Sequence, residues 1–233
     1  MGHSTSTPSL GSIETALESA IVAGRKAYTG PRESFWASSL GMCPRRQVAE
    51  RAGLAPTNPP DRRSQIKMWL GTVYGRAIQE ALEASGFLDP AWREKAVQYR
   101  SYHGKMDGYT AQIQEGAIVE IKTADDDAST RYPDMPAHYK LQGMLYCVAT
   151  GVPNLLVFQV GKSQGLVRHR VYRCEEQWQR EIESRVAFVD YHWEVYGKSG
   201  KLPDHFHEFK WEDRLCPYLE DEGSDITGKV ARV

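Results

Sequence analysis

Two carboxylates and one ammonium group carry the strongest chemical signal in this sequence. Asp107 lies in Gly104-Lys-Met-Asp-Gly108, and Glu120 and Lys122 lie in Val119-Glu-Ile-Lys-Thr123. The segments that contain them, KMDGYTAQI and GAIVEIKTA, are short, carry Val, Ile or Tyr, and are separated by turn residues, so they read as the strands of a hairpin. A turn at Glu115-Gly116 suits a two-residue loop; it sets Gln114 opposite Ala117, Ala111 opposite Glu120 and Tyr109 opposite Lys122. Side chains alternate faces along a strand, so Asp107 shares a face with Glu120 and Lys122 while Val119 and Ile121 point into a core. Hard oxygen ligands at that separation suit Mg2+ or Mn2+ beside a phosphate. Such an ion lowers the pKa of a bound water and offsets charge building on the phosphate, and an ammonium orients that water or helps neutralise the transition state. The plainer reading is a cross-strand salt bridge on a solvated face. Against it, charges set among Val and Ile need a reason to be there.

The elements that would position these groups follow from periodicity. Residues 1–11 are Ser/Thr/Gly-rich and read as disordered. Residues 12–28 and 38–52 read as helices, and the loop PTNPPDRRS precedes a third over 65–84, where Ile66, Leu70, Val73, Ala77, Ile78 and Leu82 recur at helical spacing. Gly71 and Gly75 inside it each cost about 1 kcal/mol relative to Ala, so either something approaches that face closely or the helix tolerates the cost for another reason. Three strands follow (AVQYR, KMDGYTAQI, GAIVEIKTA), then a helix over 136–150 stopping at Gly151, two strands (NLLVFQV, GLVRHRVYR), and a long amphipathic helix over 175–196. That order describes one α/β domain with a mostly mixed or antiparallel sheet. We divide it into a helical part (12–90) and an α/β core (91–203), followed by an acidic tail (204–233).

The chain has 233 residues, a formal net charge of −1, 41% hydrophobic and 25% charged residues, a globular composition. No apolar run approaches about 18 residues, the length that spans a membrane, and the first residues lack the pattern of a secretory signal. Four cysteines (43, 147, 174, 216) are too few and scattered for a disulfide scaffold. Residues 25–76 hold ten Lys/Arg against three Asp/Glu, and residues 204–225 hold eight Asp/Glu against two Lys/Arg. A basic N-terminal third is what a polyanion-binding face needs; a merely solvated surface is the other reading.

The pattern GxxDG…VEIKTA resembles the second and third motifs of the PD-(D/E)XK nuclease superfamily, and within it the RecB-like exonucleases with their CRISPR-associated and phage recombination members. Gln142-Gly-Met-Leu-Tyr146 resembles the family's QxxxY helix, Ser39-Leu-Gly-Met-Cys43-Pro-Arg-Arg resembles the N-terminal segment of its iron–sulfur members, and LGTVYGRAIQEAL resembles its GxxxH helix. The resemblance spans roughly residues 36–218. It implies a restriction-endonuclease-like core, a mixed central sheet flanked by helices, and DNA as partner. Asp107, Glu120 and the Ile121 carbonyl would bind Mg2+ or Mn2+, Lys122 would position or activate water, and Gln142 and Tyr146 would orient the site. Arg45, Arg46, Arg76 and Lys140 are candidate DNA contacts.

Two departures matter. Gly75 stands where the family has a metal-binding His, so Glu80 or Gln79, a turn further on, is the substitute ligand to consider. Of the family's cluster cysteines only Cys43 and Cys216 have counterparts, so an intact 4Fe–4S cluster is not expected; a zinc site from Cys43, Cys216, His205 and His207 is the alternative for these residues. The expected function is a metal-dependent deoxyribonuclease, an exonuclease on single strands or duplex ends, acting in recombination, repair, or phage or CRISPR DNA processing. It would work in the cytoplasm, or the host's if phage-encoded, with a recombination or replication protein as a further partner. A structure-specific or restriction-type endonuclease and a non-catalytic DNA-binding or assembly protein are the alternatives.

Overall fold

Residues 117–121 of a largely apolar strand are buried on both faces, and this organises the chain. A computed structural model describes residues 10–23, 30–124, 134–162 and 165–219. The helices are α1 (Leu10–Ala23), α2 (Pro44–Ala52), α3 (Arg62–Ala84), α4 (Ala137–Thr150), α5 (Glu176–Ser199) and the short α6 (Glu212–Leu215). The strands are β1 (Phe35–Trp36), β2 (Ala96–Tyr99), β3 (Tyr102–Lys105), β4 (Gly108–Thr110), β5 (Ala117–Ala124), β6 (Asn154–Gly161) and β7 (Val167–Arg173). They form two sheets, β1-β3-β2 and β4-β5-β6-β7. Both are mixed: β1 is parallel to β3 and β5 to β6, and the remaining pairs are antiparallel. None of the described helices is long and apolar enough to cross a membrane.

Helix α3 covers one face of the larger sheet. Its Ile78 and Leu82 pack with Leu88 on Ala117, Val119, Ile121 and Leu156. Helix α4 covers the other, where Leu141, Met144, Leu145 and Tyr146 join Ile118, Leu155 and Val157. Local signals set the ends of these helices. Asp61 caps α3, its side chain accepting from the Ser64 amide at 2.7 Å. Helices α2 and α4 stop at Gly53 and Gly151, both left-handed (φ 72° and 74°).

Several expectations change. Helix α1 begins at Leu10, inside the stretch read as disordered, because Leu10 extends the spacing of Ile13 and Leu17; residues 1–9, and 24–28 of the expected first helix, lie outside the described residues. KMDGYTAQI is not one strand. The chain breaks at Met106-Asp107 and passes from one sheet to the other, so the expected single sheet is two. The hairpin pairs Gly108 with Val119, Tyr109 with Ile118 and Thr110 with Ala117. Ala117 thus faces Thr110 in place of Gln114, a slip of four residues. The cause is that 111–116 form a compact turn: the Gly116 amide donates to the Ile113 carbonyl at 2.8 Å, and Asn154 donates to the Gln114 and Gly116 carbonyls at 3.0 and 2.9 Å. Four is even, so every side chain keeps its face. Nor is the segment from residue 204 to 219 a free tail. Cys216 and Tyr218 pack on Ala49 of α2 and Glu212 is fully buried; residues 220–233 lie outside the described residues.

Candidate functional site

Glu120 sits mid-strand on the α4 face of β5, only 1% exposed, and Lys122 follows two residues on, on the same face. The Lys122 Nζ lies 2.7 Å from Glu120 Oε2. Gln142, on the turn of α4 above them, holds both: its Oε1 accepts from Lys122 Nζ at 2.9 Å, and its Nε2 donates to Glu120 Oε1 at 3.2 Å and to the Tyr146 hydroxyl at 3.3 Å. Tyr146 lies a turn beyond Gln142 on the same helix face and donates to the Lys105 carbonyl at 3.0 Å. This approach needs Gly104, because a Cβ there would overlap the Tyr146 ring and lie 2.8 Å from the Ala37 Cβ.

Asp107 occupies the break between β3 and β4. Its Oδ2 accepts from the Ile121 amide at 2.6 Å, the place a longer β4 would have taken. The two backbone polar groups of a strand residue project to one side, so the Ile121 carbonyl faces the same edge. From α3, the buried Gln79 donates to the Asp107 carbonyl (3.2 Å), to Asp107 Oδ1 (3.3 Å) and to Glu94 Oε1 (3.1 Å). Burial first, and the Glu120 charge second, push the Asp107 carboxyl up to about 8, against the pull of Lys122. Burial raises Glu120 as well, with Lys122 opposing. Burial works against the Lys122 ammonium, yet Glu120 and Asp107 outweigh it and its pKa stands above the ordinary value.

A cleft of about 470 Å³ opens between α3 and this edge, with Gly71, Gly75, Arg76, Glu94, Asp107 and Lys122 on its walls. Gly71 meets Thr123 closely, its would-be Cβ 3.2 Å from Thr123 Oγ1, whereas a Cβ on Gly75 would have nothing within 4 Å. The close approach considered for both glycines therefore holds for Gly71 and fails for Gly75, which faces open cleft. Glu80 is not at the site: it points outward, with a side chain 58% exposed, and pairs with Arg93 at 3.2 Å. Gln79, one position earlier, is the residue of this turn that faces in. Glu94 was missed by sequence reasoning. It belongs to no periodic element and sits in a left-handed conformation (φ 50°) between a 3₁₀ turn and β2, so no pattern signals it.

Of the four candidate DNA contacts only Arg76 lines the cleft. Arg45 donates to the Pro203 carbonyl at 3.2 Å, Arg46 pairs with Glu50 at 2.9 Å, and Lys140 pairs with Asp134 at 2.7 Å. Arg45 meets a carbonyl 158 positions away that only folding brings near, whereas Arg46 pairs one helical turn along α2 and Lys140 pairs six residues back.

The cysteines fall in two places. Buried Cys147 donates to the Asn154 carbonyl at 3.4 Å, and Cys174 lies half-buried just past β7. Cys43 and Cys216 are both buried, and neighbouring Cys216 and His205 draw the Cys43 thiol below its ordinary value against the opposing effect of burial. A ligand atom from each of Cys43, His205 and His207 lies within 4.8 Å of the others.

No family model matches the chain, and no curated protein matches it. Solved structures do. The protein SSO0001 superposes with a TM-score of 0.53 at 14% identity, covering 88% of this chain and 93% of its own. LHK-Exo, solved in complex with dAMP, superposes with a TM-score of 0.50 at 13% identity, covering 73% of this chain and 95% of its own. A second structure of LHK-Exo, described as an alkaline exonuclease from Laribacter hongkongensis, gives a TM-score of 0.49 at 13% identity over 78% of this chain and 97% of its own. The likeness is one of fold: the chain shares the mixed α/β architecture of these structures.

Proposed function

We propose that this protein is a divalent-metal-dependent deoxyribonuclease, an exonuclease acting on single strands or duplex ends. The observation that carries this is the convergence of Asp107, Glu120 and Lys122 at one edge of β5, locked by Gln142. The exonuclease fold of a structural neighbour agrees with it. The residues fit a hard cation. Asp107, Glu120 and the Ile121 carbonyl make an all-oxygen donor set, and the burial, followed by neighbouring negative charge, that raises both carboxyls is what a cation among them would offset. Mg2+ or Mn2+ bound there would polarise the scissile phosphate and favour hydroxide at neutral pH.

The chain's own groups do the rest. Lys122, kept charged by its acidic neighbours, donates to a phosphate oxygen or orients the attacking water, and does not serve as base. Gln142 fixes the Lys122 and Glu120 rotamers, and Tyr146 fixes Gln142. Glu94, held beside Asp107 through Gln79, supplies a third carboxylate on the side where Gly75 leaves room. Arg76 neutralises backbone phosphates entering the cleft.

The test uses end-labelled single- and double-stranded DNA and a circular control with Mn2+, Mg2+ or EDTA, comparing wild type with Glu120→Ala and Lys122→Ala. Metal-dependent release of nucleotides from ends, lost in both variants, is the expected result. Cleavage of the circle would make it an endonuclease. Binding without cleavage in any metal would support a non-catalytic DNA-binding protein, the reading that open Gly75 favours.

A further inference from the structure

A second group of ligand-type side chains lies outside the cleft, where the C-terminal segment returns to the start of α2. Cys43 is the N-cap residue of α2. Its buried Sγ lies 3.9 Å from His205 Nδ1 and accepts from the Phe206 amide at 3.4 Å, and buried Cys216 is a neighbour. The Cys43 amide donates to buried Glu212 at 3.0 Å. His207 is oriented by Asp213, whose Oδ1 lies 3.1 Å from its Nδ1, and its side chain is 10% exposed. The Nε2 atoms of His205 and His207 are both buried with no hydrogen-bond partner among the described residues.

Unpaired buried ring nitrogens are costly, and native structures give them partners. A histidine whose Nδ1–H rests on a carboxylate while its Nε2 is withheld from solvent is oriented as metal-binding histidines are. We propose that Cys43, His205, His207 and Cys216 hold one structural zinc ion. Two thiols and two imidazoles are the borderline-soft donors that select zinc over Mg2+ or Mn2+, and two thiols are too few for a four-thiolate iron–sulfur cluster. The amide groups at the start of α2 favour a thiolate there. The atoms of Cys43, His205 and His207 lie within 4.8 Å of one another, roughly 1 Å wider than tetrahedral zinc holds its ligands, a gap that small rotations of the rings close; Cys216 lies outside this group of three and must turn its thiol towards the ring nitrogens to complete the four. The ion would clasp residues 205–216 to α2, joining parts of the chain 162 positions apart, and would not take part in the cleft chemistry.

The experiment reads metal, not activity. Full-length protein purified without chelator is analysed for metal by mass spectrometry, and stripped protein is titrated with Co2+. The expected result is about one zinc per chain and, with Co2+, the d–d bands of a tetrahedral site plus a thiolate charge-transfer band. Cys43→Ser and His207→Gln lose the zinc, Asp213→Asn releases it faster to a competing chelator, and Cys174→Ser keeps it. Wild-type protein that binds neither zinc nor tetrahedral Co2+ overturns the proposal without recourse to any variant. So does stoichiometric iron with broad visible absorption, or Cys174→Ser losing metal as readily as Cys43→Ser.

Discussion

Gln142 uses both ends of its amide, accepting from Lys122 and donating to Glu120 and Tyr146. Replacing it with Ala leaves two buried charges in place but unfixed. We expect kcat for DNA cleavage to fall about 10- to 100-fold while DNA binding is retained, since misplacement costs rate more than affinity. Loss of DNA binding in a gel-shift assay would contradict this. Tyr146→Phe keeps the packing and removes the donor to the Lys105 carbonyl, so a loss of about 1–3 kcal/mol in urea unfolding is expected. Glu94→Gln tests the carboxylate that no pattern announced. The expected outcome is a higher Mn2+ concentration for half-maximal cleavage, with an unchanged far-UV spectrum.

Helix α3 presents two glycines to the cleft, and the structure tells them apart. A methyl group at Gly75 meets nothing within 4 Å, so Gly75→Ala gains helix propensity without a clash. It should raise stability by about 1 kcal/mol, measured as a shift in Tm. Gly71→Ala gains the same propensity but presses on Thr123 Oγ1 at 3.2 Å, and should gain less or lose. Gly104→Ala in β3 is the opposite extreme. Its Cβ would overlap the Tyr146 ring and crowd Ala37, so a loss of about 1–3 kcal/mol is expected from overpacking.

Across the whole molecule, the segment after α5 is part of the fold. Phe209 and Trp211 stack with each other and lie 5.3 and 5.7 Å from the His138 ring on α4. Deleting residues 204–233 should therefore lower Tm and weaken cleavage through α4, which carries Gln142. A truncated chain with unchanged Tm would contradict the packing. Burial first, then Lys122 and Arg46, hold the His138 pKa down from 6.5 to about 4. Below pH 6.5 the unfolded chain takes up a proton that the folded ring refuses, so this contribution to stability is full above pH 6.5 and lost as pH falls towards about 4. The difference between wild type and His138→Gln in urea midpoint, followed over that window, isolates it.

The sequence by itself determined the local and periodic features. The alternation of Ala117–Ala124 made a buried strand with Glu120 and Lys122 on one face, helical spacing made α3 and α4, and Gly53 and Gly151 ended helices. These depend on chemistry within a few residues, which the chain carries wherever it goes. Gln142 and Tyr146, four apart on a helix, belong to the same class. Tertiary structure decided what depends on distant partners: the slip of the hairpin, set by Asn154 bonding its turn; the inward face of Gln79 over Glu80, set by how α3 rolls onto β5; and Glu94, placed by a left-handed residue in an irregular link. The Arg46–Glu50 pair is an i,i+4 feature that the sequence carries, whereas Arg45 finds its partner 158 positions away at the Pro203 carbonyl, which sign and spacing along the chain do not show. The meeting of Cys43 with His205 and His207 is the same kind of fact, since burial and contact across the chain exist only after it has closed on itself.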